Sequence, residues 1–312
     1  MQYRSYRSAR DKAEPVEDLL SREAREHDRD YETCKPFGLP TLNFTPDDVW
    51  RINDQSFKKG TYRRGYRKRR LFQLMELDQI SGKRVLDVGC GIGQHTVFHA
   101  LYGAESYGFD ISPVGVAMAA RLAQANNVAD LCHFHVASVS DLPYEDEYFD
   151  IVVLNAVLHH IIKYPNVHAE IWRVLKPGGK LFVADELRNP VYKALRWCYR
   201  AVVRDKPDRG DVDLSMSDLQ ELSEEYLNLY LDRFTLLEGL REGFARNYNN
   251  PLPIRAMDFV LFALDRALFR LLPITSNYTS EFVMAMDKPI HASAEASGRS
   301  PSEGTHHLHG DV

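Results

Sequence analysis

Val85-Leu-Asp-Val-Gly-Cys-Gly-Ile-Gly93 decides the fold class. Val85 to Val88 reads as a buried strand, Gly89 to Gly93 as a tight turn, and Gln94 to Tyr102 as a helix. Glycines at 89, 91 and 93 remove side chains where the backbone must bend sharply and touch a ligand. Two kinds of ligand loop begin this way. The dinucleotide loop has its third glycine one position later and holds a pyrophosphate on the helix N-terminus. Here the spacing is Gly-x-Gly-x-Gly, and Asp87 lies two residues before the first glycine. A carboxylate at that mouth repels a pyrophosphate but suits a ligand carrying an ammonium and a sulfonium.

The pattern repeats outward from this stretch. Ser106–Phe109, Cys132–Val136, Phe149–Leu154 and Lys180–Ala184 are predicted strands, alternating with helices at Pro113–Asn126 and His168–Leu175. Such alternation predicts an α/β fold, a doubly wound and mostly parallel sheet with helices on both faces. Right-handed crossovers then place ligands at the carboxyl edge of the strands, where the strand order reverses. Asp110 ends the second strand there. It can accept the two hydroxyls of an adenosine ribose, with Ile111 beside the base, or it can cap the helix that follows. Beside the glycine loop, the ribose reading is preferred.

These residues resemble class I S-adenosylmethionine-dependent methyltransferases, and three further segments agree. They are Ser140-Asp-Leu-Pro-Tyr-Glu-Asp-Glu-Tyr-Phe-Asp150, Asn155-Ala-Val-Leu-His-His160 and Leu175-Lys-Pro-Gly-Gly-Lys-Leu181. The likeness runs from about Lys83 to Glu186. It is nearest to the small-molecule branch that includes ubiquinone/menaquinone C-methyltransferases and natural-product and sugar methyltransferases. The resemblance implies a Rossmann-like seven-stranded sheet and S-adenosylmethionine as cofactor. It implies a cofactor site of Asp87, Gly89, Cys90, Gly91, Gly93, Asp110, Ile111, Ser138, Val139 and Asn155. One position departs from that branch: Ala137-Ser138 stands where Gly-Asp is usual, so Ser138 meets the adenine without a charge. The implied reaction is in-line displacement of the methyl from sulfur by an oxygen, carbon or nitrogen of a small organic acceptor. His159 and His160 follow the fourth strand and are candidate bases, or part of the cofactor wall. Asp185 and Glu186 end the fifth strand and are the other candidates, unless they pair with Arg188. Cys90, inside the loop, reads as a packing residue rather than a nucleophile.

The ends of the chain read differently. Residues 1–80 are expected to form an N-terminal helical cap, with helices at Val16–His27, from Thr45, and at Tyr62–Asp78. Residues 81–290 are expected to form the methyltransferase domain, with a helical insertion at about 190–275 covering the site. Helices are predicted at Pro190–Val203, Asp218–Tyr230 and Ala256–Leu272, and late strands at Phe234–Leu240 and Thr279–Met286. The small polar tail 291–312 is expected to be disordered. Tyr226, Tyr230, Phe234, Phe244 and Tyr248 line an acceptor pocket or fill the core of that insertion. The Ala256–Leu272 stretch is apolar enough for core, oligomer, lid or membrane-surface contact.

Composition narrows the class. Of 312 residues, 44% are hydrophobic and 27% charged, which excludes fibrous and wholly disordered chains. Cys34, Cys90, Cys132 and Cys198 have neither the spacing nor the density of a disulfide scaffold. The first residues lack a secretory apolar run and no stretch suits a membrane span, so a cytoplasmic setting is expected. Net charge is −5, giving no general attraction to nucleic acid. The block Lys58-Lys-Gly-Thr-Tyr-Arg-Arg-Gly-Tyr-Arg-Lys-Arg-Arg70 is the exception. It reads as a solvated helix face, or as the anchor of an RNA or protein methyltransferase, the alternative function. Nucleic acid is not the expected partner, because no recognition motif accompanies the block. No metal site is expected, and His306, His307 and His309 lie in the tail. The apolar helices toward both ends are compatible with a homodimer.

Overall fold

A computed structural model describes residues 15–33, 62–187, 212–237 and 252–290, with the side chains of 62–65 and 252–258 left out. Seven strands form one sheet in the order β3-β2-β1-β4-β5-β7-β6. They are β1 Arg84–Val88, β2 Glu105–Asp110, β3 Cys132–Val136, β4 Phe149–Asn155, β5 Leu175–Glu186, β6 Leu227–Phe234 and β7 Glu281–Asp287. The pairs β1–β2, β2–β3, β1–β4 and β4–β5 are parallel, while β7 runs antiparallel to both β5 and β6. The order reverses between β1 and β4, and their carboxyl ends open there into a crevice.

Alternate residues of the central strands feed two cores, one on each face of the sheet. Leu86, Val152, Leu154, Leu181 and Val183 pack on one face. Val85, Ile151, Val153, Phe182 and Ala184 pack on the other. Each of these side chains except Ala184 contributes about 1.5–3 kcal/mol when fully buried. Burial on both faces explains why these strands read as continuous apolar runs rather than as alternation. The helices are α1 Val16–Thr33, α2 Tyr62–Met75, α3 Gln94–Leu101, α4 Pro113–Ala125, α5 Leu158–Ile161, α6 Val167–Val174, α7 Met216–Ser223 and α8 Leu252–Leu271. Among the described residues, no helix is long and apolar enough to cross a membrane.

The late region departs from expectation. The helix expected over Asp218–Tyr230 stops at Ser223, and β6 occupies Leu227–Phe234. Asp218 accepts the Ser215 amide at 2.7 Å and so begins the helix at Met216. Leu227-Asn-Leu-Tyr-Leu-Asp232 then alternates with period two, a strand pattern that the longer helical reading overrode. The strand expected over Phe234–Leu240 begins where β6 ends. Thr235 takes φ 64°, turning the chain, and the Leu236 and Leu237 amides donate to Asp265 of α8. The insertion is therefore not wholly helical, since it contributes an edge strand. Tyr226 and Phe234 are buried in the two cores rather than exposed to a pocket. Phe244, Tyr248, the helices expected from Thr45 and at Pro190–Val203, and the tail 291–312 lie outside the described residues.

Candidate active site

The glycine loop leaves β1 with left-handed backbone at each glycine. Gly89 has φ 64°, and a Cβ there would stand 2.4 Å from Val157 Cγ2. Gly93 has φ 77° and opens α3, where a Cβ would meet the Ala119 Cβ at 2.5 Å. Only glycine allows both this backbone and these approaches. Cys90 donates its amide to the Phe109 carbonyl at 2.8 Å, tying the loop to β2. Burial, with Asp87 and Asp110 adding to it, pushes the Cys90 thiol far up. The thiol is therefore a packing group.

A cleft opens above the loop. Gly89, Asp110, Ile111, Ser138, Val139 and His160 are among its lining residues. Asp110 Oδ2 accepts the Gly91 amide and Oδ1 the Ser112 amide, both at 2.9 Å. Each oxygen keeps capacity for a further donor, so the carboxylate fits a vicinal diol. Burial raises the Asp110 pKa, while the two amides oppose that rise. Helix capping falls instead to Ser112, whose Oγ accepts the Gly115 amide at 2.9 Å. Ser138 Oγ accepts the Ser140 amide at 3.3 Å. With Val88, Phe109 and Val157 also in its wall, the cleft pairs apolar surfaces with the buried carboxylates of Asp110 and Glu23. That combination suits a nucleoside.

Of the expected cofactor residues, Asp87, Cys90, Gly91, Gly93 and Asn155 are not in that lining. Asp87 does not reach the mouth of the loop. It is 4% exposed, accepts the Thr96 hydroxyl at 2.7 Å, and is absent from the cleft lining. Its carboxylate lies near the end of β1 against Thr96 rather than at the mouth of the loop. Burial pushes the Asp87 pKa up to about 7. A raised folded pKa favours the protonated form. The stability this confers is complete below about pH 4, the ordinary carboxyl range, and is lost as pH rises toward 7. Relative to Asp87→Asn, wild type should therefore lose thermal stability across that window and no further above it. Melting curves of both proteins from acid to alkaline pH measure the difference, and parallel curves would contradict the burial. Asn155 also turns away. Its Nδ2 donates to His95 Nε2 at 3.0 Å, and burial holds His95 neutral.

The expected bases separate. His160 faces the cleft, edge-on to His27 with ring centroids 5.8 Å apart. His159, its ring 4.0 Å from that of His160, turns toward β5. Its Nδ1 lies 2.7 Å from Asp185 Oδ1. Asp185 is fully buried and also accepts the His159 amide at 3.2 Å and the Glu186 amide at 2.7 Å. Glu186 faces Glu281 across the β5–β7 register. Arg67 of α2 lies 3.8 Å from the first and 3.6 Å from the second. Arg188 lies outside the described residues.

Helix α1 supplies what sequence reading missed. Leu20, Glu23, His27 and Tyr31 close one side of the cleft. Glu23 binds Lys163 at 2.5 Å and also the Tyr164 hydroxyl. Asp28 accepts the Ser112 hydroxyl and the Val114 amide. The only sequence trace is the i, i+4 spacing of Glu23, His27 and Tyr31, which puts one polar stripe on one face. None of the described residues of α8 lines the cleft.

Fold and cleft together define a doubly wound domain with a cleft at the carboxyl edge of its sheet. Residues 86–183 match the family model described as a methyltransferase domain. Phthiotriol/phenolphthiotriol dimycocerosates methyltransferase of Mycobacterium leprae is 34% identical over 151 residues, 48% of this chain and 49% of that protein. The chloroplastic tocopherol O-methyltransferase of Arabidopsis thaliana is 31% identical over 159 residues, 50% of this chain and 42% of that protein. A ubiquinone/menaquinone biosynthesis C-methyltransferase of Vibrio campbellii is 27% identical over 170 residues, 53% of this chain and 65% of that protein. The chain spans about half the length of the first of these curated relatives. Among solved structures, the cyclase SpnF superposes with a TM-score of 0.50 at 22% identity, covering 75% of this chain and 84% of that one. Geranyl diphosphate C-methyltransferase of Streptomyces coelicolor does so with a TM-score of 0.50 at 16% identity, covering 71% and 76%. These likenesses show the fold alone. Residues 86–183 therefore carry a methyltransferase domain, and the chain is similar over that region to methyltransferases of small organic acceptors.

Proposed function

We propose that this protein methylates a small, largely apolar organic acceptor at an oxygen or an acidic carbon, with His159 as the base. The single observation that carries the reading is the His159–Asp185 pair, held beside a cleft shaped for the cofactor. S-adenosylmethionine, when bound, supplies an already activated methyl group. Asp110 receives the ribose hydroxyls, Ile111 and Val139 face the adenine, and Ser138 offers its hydroxyl to the base edge. The Asp185 carboxylate favours the proton on His159 Nδ1 and so makes Nε2 the basic nitrogen. Nε2 removes the acceptor's proton, and the resulting anion is the nucleophile. Holding both partners at near-attack distance contributes about 7–11 kcal/mol, and the base a factor of about 10²–10⁴.

The names of the relatives, lipid, tocopherol and quinone methyltransferases, support an apolar acceptor bearing a hydroxyl or a quinol ring. Anchoring on RNA is not favoured. Arg67 is buried against Glu186 and Glu281, and Arg70 reaches Asp232 at 3.5 Å and the Tyr230 hydroxyl. A reducing, cytoplasmic setting agrees with Cys90 and Cys132 being free thiols. The test is transfer of tritiated methyl from S-adenosylmethionine into cell extract. The expected label enters the organic phase. Label confined to RNA or protein would overturn the reading.

A further inference from the structure

The outward face of α8 is built the wrong way round for water. From Phe259 through Ile274, the large exposed side chains are Phe259, Val260, Leu264, Leu271, Leu272 and Ile274, each 50–80% exposed. Val260, Leu264, Ala267 and Leu271 follow one another at helical spacing along that face. Two of the helix's charges turn inward instead. Asp265 is fully buried and accepts the Leu236 and Leu237 amides at 2.9 and 2.8 Å. Arg266 reaches Asp232 of β6 at 3.0 Å. On a helix meant for solvent, the polar residues would face out. Scattered exposed leucines need no explanation, but a continuous apolar face marks a contact surface.

We propose that this face docks on an anionic lipid surface, lying in the plane of the interface rather than crossing it. The charges around it select that occupant. Asp265 is the sole acidic residue between Phe259 and Tyr278, and it is buried. Arg270 is exposed on the face. Helix α2, which carries the basic run, packs directly against α8 through Tyr66 and Phe262, with ring centroids 4.8 Å apart, and its Arg69 is exposed. Apolar side chains flanked by cations are what anionic headgroups over an acyl layer accept. A second copy of this chain fits less well. A two-fold contact sets the face against itself, and the described residues of α8 hold no exposed carboxylate to meet Arg270 of the second copy. The surface lends nothing to the cofactor cleft, so the inference stands whether or not methyl transfer is the reaction.

The test is sedimentation of the full chain with vesicles of phosphatidylcholine alone or with phosphatidylglycerol admixed, alongside light scattering without lipid. The protein is expected to sediment with the anionic vesicles and less with the neutral ones, and to be released by salt. The double variant Leu264→Asp, Leu271→Asp should lower vesicle affinity by about tenfold or more. Arg270→Glu, which removes no packing, should lower it on anionic vesicles alone. Leu131→Asp, at the far edge of the sheet, should change nothing. Failure of wild type to sediment, or equal sedimentation of the Leu264→Asp, Leu271→Asp protein, overturns the proposal. So does a lipid-free dimer that those two substitutions split, which assigns the face to a second copy.

Discussion

Replacing Asp110 by alanine is expected to weaken S-adenosylmethionine binding by well over tenfold. The carboxylate holds the Gly91 and Ser112 amides at 2.9 Å and sits in the cleft wall. Alanine removes the acceptor for a ribose diol and strands two backbone donors. A hydrogen bond to a charged group is worth about 1.5–3 kcal/mol, and losing two of them exceeds a factor of ten by a wide margin. Asp110→Asn should fall between wild type and alanine, because the amide keeps the shape but only one accepting atom. Isothermal titration with the cofactor reads the effect, and melting curves show whether each variant is folded. Unchanged affinity in a folded Asp110→Ala protein would remove the ribose assignment.

The second large effect belongs to His159. His159→Gln should cut the turnover of label transfer by about 10²–10⁴ and leave cofactor affinity within a few-fold of wild type. Glutamine can still donate toward Asp185, but it has no nitrogen that takes a proton. Asp185→Asn should also slow turnover, because the imidazole loses the carboxylate 2.7 Å from Nδ1 that fixes its tautomer and orientation. His160→Ala separates base from wall. Since His160 faces the cleft, its loss should weaken cofactor binding more than it slows transfer. Near wild-type rates in His159→Gln would show that the acceptor needs no base or finds one elsewhere.

Much of this site was legible because the fold places it. A strand that ends in glycines, followed by a helix, puts the loop at the carboxyl edge. The next strand's terminal aspartate then falls on the same edge, and the structure puts Asp110 there. Asp87 was misplaced because sequence shows order along a strand but not the direction of a side chain. In the pleat, Asp87 points into the layer beneath the loop, where Thr96 of α3 meets it. The His159–Asp185 pair could be suspected as separate candidates but not joined, since β4 and β5 become neighbours only in the sheet. Helix α1 was visible as a helix, yet its role as a wall depends on Glu23 finding Lys163 and Tyr164 far along the chain. In β6, a helical prior overrode a plain period-two alternation.

Titrating the full chain calorimetrically with S-adenosylmethionine, and separately with a nicotinamide dinucleotide, tests the central claim most directly. The account predicts one-to-one binding of the sulfonium nucleoside and no heat from the dinucleotide, because the third glycine stands at 93, one position earlier than in a pyrophosphate loop. Binding of the dinucleotide, with none of S-adenosylmethionine, would contradict it.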